Sequence, residues 1–130
     1  MHTYMALIKK YTFILVLLLP LSFLNCESGS CEGEPPEAKV ESNSYSSSTR
    51  VQVTFTQEGT GKTFQYTNIR EDNPRKTGPL PAGRYAIQAS VSKATGNSTS
   101  RVTANLTDCT EYTVYVNVFS MMLTVTGSAR

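Results

Sequence analysis

Any chemistry in this chain must come from its cysteines and carboxylates. Three cysteines, Cys26, Cys31 and Cys109, stand in a chain of 130 residues. The single histidine, His2, lies within a basic and apolar leader. Beyond that leader no imidazole is left for a Ser-His-Asp or Cys-His relay. Most zinc and copper sites lose their usual ligand with it. Carboxylates fall into two groups, Glu71 beside Asp72 and Asp108 close to Glu111. Two carboxylates can hydrolyse a glycosidic bond, but only where a concave site holds them around the substrate. In a small domain with filled interior positions, loop solvation and turn chemistry are the expected roles of these acids. Glu71, Asp72 and Asn73 carry oxygen ligands of the kind calcium takes, with nothing further in the sequence to support a site. No glycine-rich phosphate loop leads into a helix. The residues therefore imply no catalytic group, no metal and no cofactor.

The cysteines say more about location. Lys9 and Lys10 precede an uncharged apolar run over residues 11–24, broken once by Pro20. Its 14 residues fall short of the roughly 20 a bilayer core requires. A basic start, a short apolar run and a polar exit form an export signal, expected over residues 1–25. An uncleaved anchor helix is the alternative, disfavoured because the run ends in Asn-Cys-Glu-Ser-Gly-Ser. Leu21-Ser22-Phe23-Leu24-Asn25-Cys26 resembles the relaxed lipoboxes of bacterial lipoproteins. It departs from their stricter form at Leu24 and Asn25, where small residues are usual. The resemblance implies a lipid on Cys26. Ordinary signal peptidase cleavage, with Ser28 and Ser30 as the small residues before the cut, is the rival. Lipidation of Cys26 leaves Cys31 and Cys109, and one disulfide between them would complete the count in an oxidising compartment. Two unbridged thiols are the other reading.

Charge is segregated along the exported part. Glu27, Glu32, Glu34, Glu37 and Glu41 face only Lys39, whereas from Ser42 onward nine bases stand against five acids. An acidic Ser/Gly/Pro tether over residues 26–36 is thus expected ahead of a mildly basic domain over 37–127. Pro35-Pro36 stiffens the tether. The positive excess is too small and scattered to argue for nucleic acid.

The domain carries β signals throughout. Val51, Val53 and Phe55 alternate with polar residues, as do Phe64 and Tyr66, then Tyr85, Ile87, Ala89 and Val91, then Val102, Ala104 and Leu106. Period-two alternation marks strands with one buried face. A weaker strand is expected over 38–45. Residues 70–83 hold Asn73-Pro74, Gly78-Pro79 and Pro81, all breakers, and read as a long loop. Tyr112, Val114, Val116 and Val118 share one face, after which the parity flips to Met121, Leu123 and Val125. Phe119-Ser120 must hold a bulge or a tight reversal. The spacing predicts an all-β fold, a seven-stranded antiparallel sandwich.

Residues 102–116, Val-Thr-Ala-Asn-Leu-Thr-Asp-Cys-Thr-Glu-Tyr-Thr-Val-Tyr-Val, resemble the E–F corner and strand F of a fibronectin type III module. The resemblance makes Tyr112 the corner tyrosine and Leu106 its core neighbour, within an immunoglobulin-like sandwich. The core tryptophan usual in that family is absent, and Phe55 would take its place. The same topology sets the corner at the opposite pole from the first strand, which sits badly with a Cys31–Cys109 bridge.

Such modules mostly act as spacers or binders. The expected function is a membrane-anchored, non-catalytic binding lipoprotein at the outer membrane or cell surface, with a protein or glycan partner. Its contact site is expected in the 70–83 loop at Arg70, Arg75 and Lys76. A structural envelope component that assembles through strand edges is one alternative, and a small inhibitor or carboxylate-based enzyme is another.

Overall fold

The computed structural model describes residues 31–130. The leader and Cys26 lie outside the described residues, and with them the expected signal and lipid site. Gly33–Arg130 forms one compact unit, built of strands with no helix among the described residues. In chain order the strands are β1 (Glu37–Ser42), β2 (Arg50–Gln57), β3 (Thr63–Tyr66), β4 (Arg75–Pro79), β5 (Gly83–Lys93), β6 (Gly96–Leu106), β7 (Thr110–Asn117) and β8 (Met122–Ala129). They make two four-stranded sheets, β4-β1-β7-β8 and β3-β2-β5-β6.

Alternation dictates the core. Val51, Val53 and Phe55 of β2 and Tyr85, Ile87, Ala89 and Val91 of β5 point inward from one sheet. Ala38 and Val40 of β1 and Tyr112, Val114 and Val116 of β7 point inward from the other. Each large side chain so buried contributes about 1.5–3 kcal/mol before entropy is counted. Phe55 is fully buried where a tryptophan was wanting, and the rings of Tyr66 and Tyr85 meet it edge-on at 5.8 and 6.4 Å. Edge-on contact sets the positive rim of one ring against the negative face of another.

Two features correct the sequence reading, and one decides between the alternatives it left open. First, there are eight strands, because β4 lies inside the stretch expected to be a loop. Its residues Arg-Lys-Thr-Gly-Pro have no apolar alternation to betray it. It is an edge strand, paired only to β1, so Pro79 at its end removes no needed donor. The pairing slips between Glu37 and Lys39, and the Thr77 hydroxyl takes the Ala38 N–H at 3.0 Å. Second, the parity flip after Val118 is a reversal: Asn117 pairs with Met122 and Met121 takes a left-handed φ of 54°. Third, β1 runs parallel to β7, from Glu37 beside Glu111 to Ser42 beside Val116. The first strand therefore starts next to the corner, and the expectation that they occupy opposite poles is overturned.

The parallel pairing gives the sandwich two distinct poles. At one, which we call the root, lie residues 33–36, the corner 107–109 and the turn 58–62. At the other, the free pole, lie the loops 43–49 and 67–74, the turn 94–95 and the reversal 118–121. β7, which joins the two, spans eight residues, about 27 Å at strand rise.

Candidate functional site

The root is closed by its own bonds. The Tyr112 hydroxyl accepts from the Thr107 N–H at 3.0 Å and donates to the Asn105 carbonyl at 3.2 Å. This is the hydrogen-bond pattern of a tyrosine corner. Gly127 pairs directly with Tyr112, and a Cβ there would sit 2.9 Å from the tyrosine ring. The ring thus covers a glycine on an edge strand. Cys109, at φ 60°, donates its N–H to the Glu34 carbonyl at 2.9 Å and accepts the Arg130 N–H at 3.0 Å. The Arg130 guanidinium reaches Glu34 at 3.0 Å and Glu37 at 3.4 Å. No disulfide joins Cys31 to Cys109. Backbone bonding ties residue 34 to the corner. Pro36, part of the expected tether, is buried and accepts the Leu80 N–H at 2.8 Å.

The free pole is held differently. Ser42, buried on the last position of β1, donates its hydroxyl to the Ile69 carbonyl at 3.0 Å and accepts the Ser44 N–H at 3.3 Å. The Glu71 N–H then bonds the Ser44 carbonyl at 3.1 Å. Asn43 accepts the Val118 N–H at 2.8 Å, and Asn117 caps the reversal by accepting from Phe119 and Ser120. Asn73 donates to the carbonyl of Asn68, which is held at φ 56°. Short polar side chains do here what ladder bonds do elsewhere.

Two clefts result, one on each side of loop 67–74. The first, of about 400 Å³, is lined by Ser47, Thr49, Arg50, Asn68, Arg70, Asn73 and Arg75. Arg70 has Asp72 at 3.5 Å, while Arg50 and Arg75 make no ion pair among the described residues. The structure thus brings Arg70 and Arg75 together and adds Arg50, which the sequence reading left out. It separates Lys76 from them. Arg75 stands opposite the inward Val40, and Lys76 opposite the outward Lys39, so strand alternation sends the two side chains to different faces. The signal for Arg50 was its place at the start of β2, but only the fold shows that β2 starts beside the 67–74 loop.

The second cleft, of about 320 Å³, is lined by Ser44, Tyr45, Glu71 and Asp72. It adjoins a groove lined by Glu41, Asn43, Pro74 and Tyr115 as well as Tyr45 and Glu71. Tyr45 is 75% exposed. Hydrogen bonding toward the neighbouring Glu71 carboxylate and its negative charge push the Tyr45 phenol above its ordinary pKa. Tyr115 is outward and half-buried, on the face opposite Tyr112 as alternation requires. Ser44 is 2% exposed, and its hydroxyl has no partner among the described residues. A buried orphan hydroxyl costs about 1–3 kcal/mol relative to a satisfied one.

Among the described residues no three His, Cys, Asp or Glu side chains gather closely enough to hold a metal ion. Glu71 and Asp72 share the second cleft, while Asp108 and Glu111 lie at the root, so the two carboxylate groups are at opposite ends.

No family model matches this chain, and no curated protein does. Among solved structures, that of a "putative cell adhesion protein" from Bacteroides ovatus ATCC 8483 matches with 12% identity and a TM-score of 0.42. The match covers 72% of this chain and 42% of that one. A likeness so weak carries no conclusion about fold or function.

Proposed function

We propose that this chain is an envelope lipoprotein, held to a membrane by a lipid on Cys26, whose sandwich is a non-catalytic binding module. It presents the Arg50, Arg70 and Arg75 cleft to an anionic partner, protein or glycan. The observation that carries the reading is the division of the poles. The chain enters the sandwich at the root, and the arginine cleft opens at the free pole, the far end of β7. A module tethered at one end and charged at the other is disposed to meet something beyond the surface it is tethered to. Arg50 and Arg75, which have no carboxylate partner among the described residues, suit that role, since the guanidinium is always charged and grips carboxylate, sulfate or phosphate with paired donors. The tyrosine corner supports placing the domain among immunoglobulin and fibronectin type III sandwiches, although the parallel β1–β7 pair departs from the resemblance. Fold by itself names no partner.

The test uses full-length chain in detergent and immobilised dextran sulfate as the polyanion. The reading expects binding that weakens with salt. It expects the triple variant Arg50→Glu, Arg70→Glu, Arg75→Glu to lose that binding at least about ten-fold, as hydrogen bonds to charged groups warrant. Reversal of Lys62 and Arg84 at the root should leave it unchanged. Equal loss in both variants would mean that diffuse positive charge, not the cleft, does the binding.

A further inference from the structure

The edges of the two sheets are not alike, and the difference is independent of the arginine cleft. We infer that β8 is an assembly edge, through which two copies of this chain pair antiparallel and join their β4-β1-β7-β8 sheets into one.

An edge strand carries backbone donors and acceptors with no neighbour, so monomeric sheets shield their edges with short strands, charge, proline or irregular pairing. The edges other than β8 are each shielded. β3 is four residues long. β4 carries Arg75, Lys76 and Pro79, and its pairing with β1 slips. β6 is long, but Arg101 stands at its centre, so antiparallel pairing with a second β6 would set one guanidinium against another. β8 has none of these devices. Met-Leu-Thr-Val-Thr-Gly-Ser-Ala holds no charge and no proline, and it pairs with β7 without a slip over its eight residues.

The backbone dictates which groups face outward from that edge. Arg130 donates its N–H to the Cys109 carbonyl, in the register that continues from Thr110 opposite Ala129. Bonded and non-bonded pairs alternate along an antiparallel ladder. Ser128, Thr126, Thr124 and Met122 therefore bond β7, while Ala129, Gly127, Val125 and Leu123 turn their amides and carbonyls to the free edge. The Val116 carbonyl agrees, since it accepts from Asn43 on the β1 side and so is not spent on Leu123. From Val125 to Ala129 the strand is half-exposed or exposed. Among the described residues no further strand pairs with it.

A second copy fits this edge. A two-fold axis at Thr126 sets Val125 opposite Gly127, and Leu123 opposite Ala129, of the second copy, so the outward-turned backbone groups meet one another. On the outer face the same axis sets Thr126 against Thr126 and Thr124 against Ser128. Such hydroxyl pairs stabilise cross-strand neighbours. No charge on one strand meets a like charge on the other. The pair is also closed, because the joined sheet ends at the shielded β4 on both sides.

The experiment is sedimentation equilibrium of the full-length chain in density-matched detergent, with amide hydrogen exchange measured at concentrations above and below the transition. A monomer–dimer equilibrium is expected. The dimer should slow exchange at Val125, Gly127 and Ala129, and leave Thr124, Thr126 and Ser128, already bonded to β7, unchanged. Thr126→Lys and Thr126→Glu, at an exposed outward position, should each weaken the dimer about five-fold, near the upper end of cross-strand pair energies. An equimolar mixture of the two should recover it, which misfolded variants could not do. The triple arginine variant should dimerise as the native chain does, so failure of the arginine reading would leave this one standing. A chain that stays monomeric at every concentration, a dimer indifferent to both Thr126 variants, or new protection falling on β6 rather than β8 would each overturn the assignment.

Discussion

The two poles of the sandwich are built from the same kinds of residue but to different standards of closure. At the root, Tyr112 satisfies two backbone groups, its ring covers Gly127, and backbone bonds tie residue 34 and residue 130 to the corner. At the free pole, Ser42, Asn43, Asn73 and Asn117 hold loops by short side-chain bonds. There the hydroxyl of Ser44 is unpaired, the Tyr45 and Phe119 rings are exposed, and Arg50 and Arg75 lack counter-ions among the described residues. The two ends thus differ in how fully their polar groups are paired among the described residues.

The sharpest way to break this contrast is at the corner. Tyr112→Ala should destabilise by about 3–5 kcal/mol, the usual cost of truncating a buried aromatic, read as a fall in the urea midpoint. Gly127→Ala should cost about 1–3 kcal/mol by overpacking against the Tyr112 ring. It looks harmless in sequence, because Gly127 sits on an exposed stretch of an edge strand. If it proves neutral, the ring does not cover the glycine as described.

Two serines two residues apart make the finer comparison. Ser42→Ala removes a buried hydroxyl that serves both Ile69 and Ser44, and should cost about 1–3 kcal/mol. Ser44→Ala removes an orphan and should be neutral or slightly stabilising. Equal losses would mean that Ser44 has a structural partner and that the free pole is closed after all. The smallest expected effect is the triple arginine reversal at the first cleft, within about 0.5 kcal/mol of unchanged stability, as for other exposed positions.

Alkaline pH provides a check on the core. Burial raises the phenols of Tyr66 and Tyr85 above their ordinary value of 10.0. A raised folded-state value favours the fold at all pH below the unfolded value and loses that contribution as pH climbs through the folded one. Stability should hold from neutral pH to about 10 and fall above it, with Tyr66→Phe and Tyr85→Phe each flattening the fall.

Much of the fold was legible in the sequence because burial leaves a period of two. β2, β5 and β7 announce themselves through Val51, Val53, Phe55, Tyr85, Ile87, Val114 and Val116, and the tyrosine corner through its Leu-to-Tyr spacing. β4 was illegible because an edge strand at a sandwich rim buries almost nothing and tolerates Gly78 and Pro79. The parallel β1–β7 pair was illegible because pairing partners leave no mark on alternation. The candidate site suffered from both. Arg70 and Arg75 were visible as charge in a loop, but Arg50 joins them only through topology, and Lys76 leaves them only because β4 is a strand.

Hydrogen exchange on the full-length chain, alone and with dextran sulfate, tests the division of the poles most directly. Local opening free energies differ across a fold and are read amide by amide. The account predicts slow exchange at Leu80, Thr107 and Cys109, indifferent to the polyanion. It predicts faster exchange across residues 43–49 and 67–74, slowed when the polyanion is added. Protection appearing at the root, or a free pole as slow as the corner and unchanged by the ligand, would contradict it.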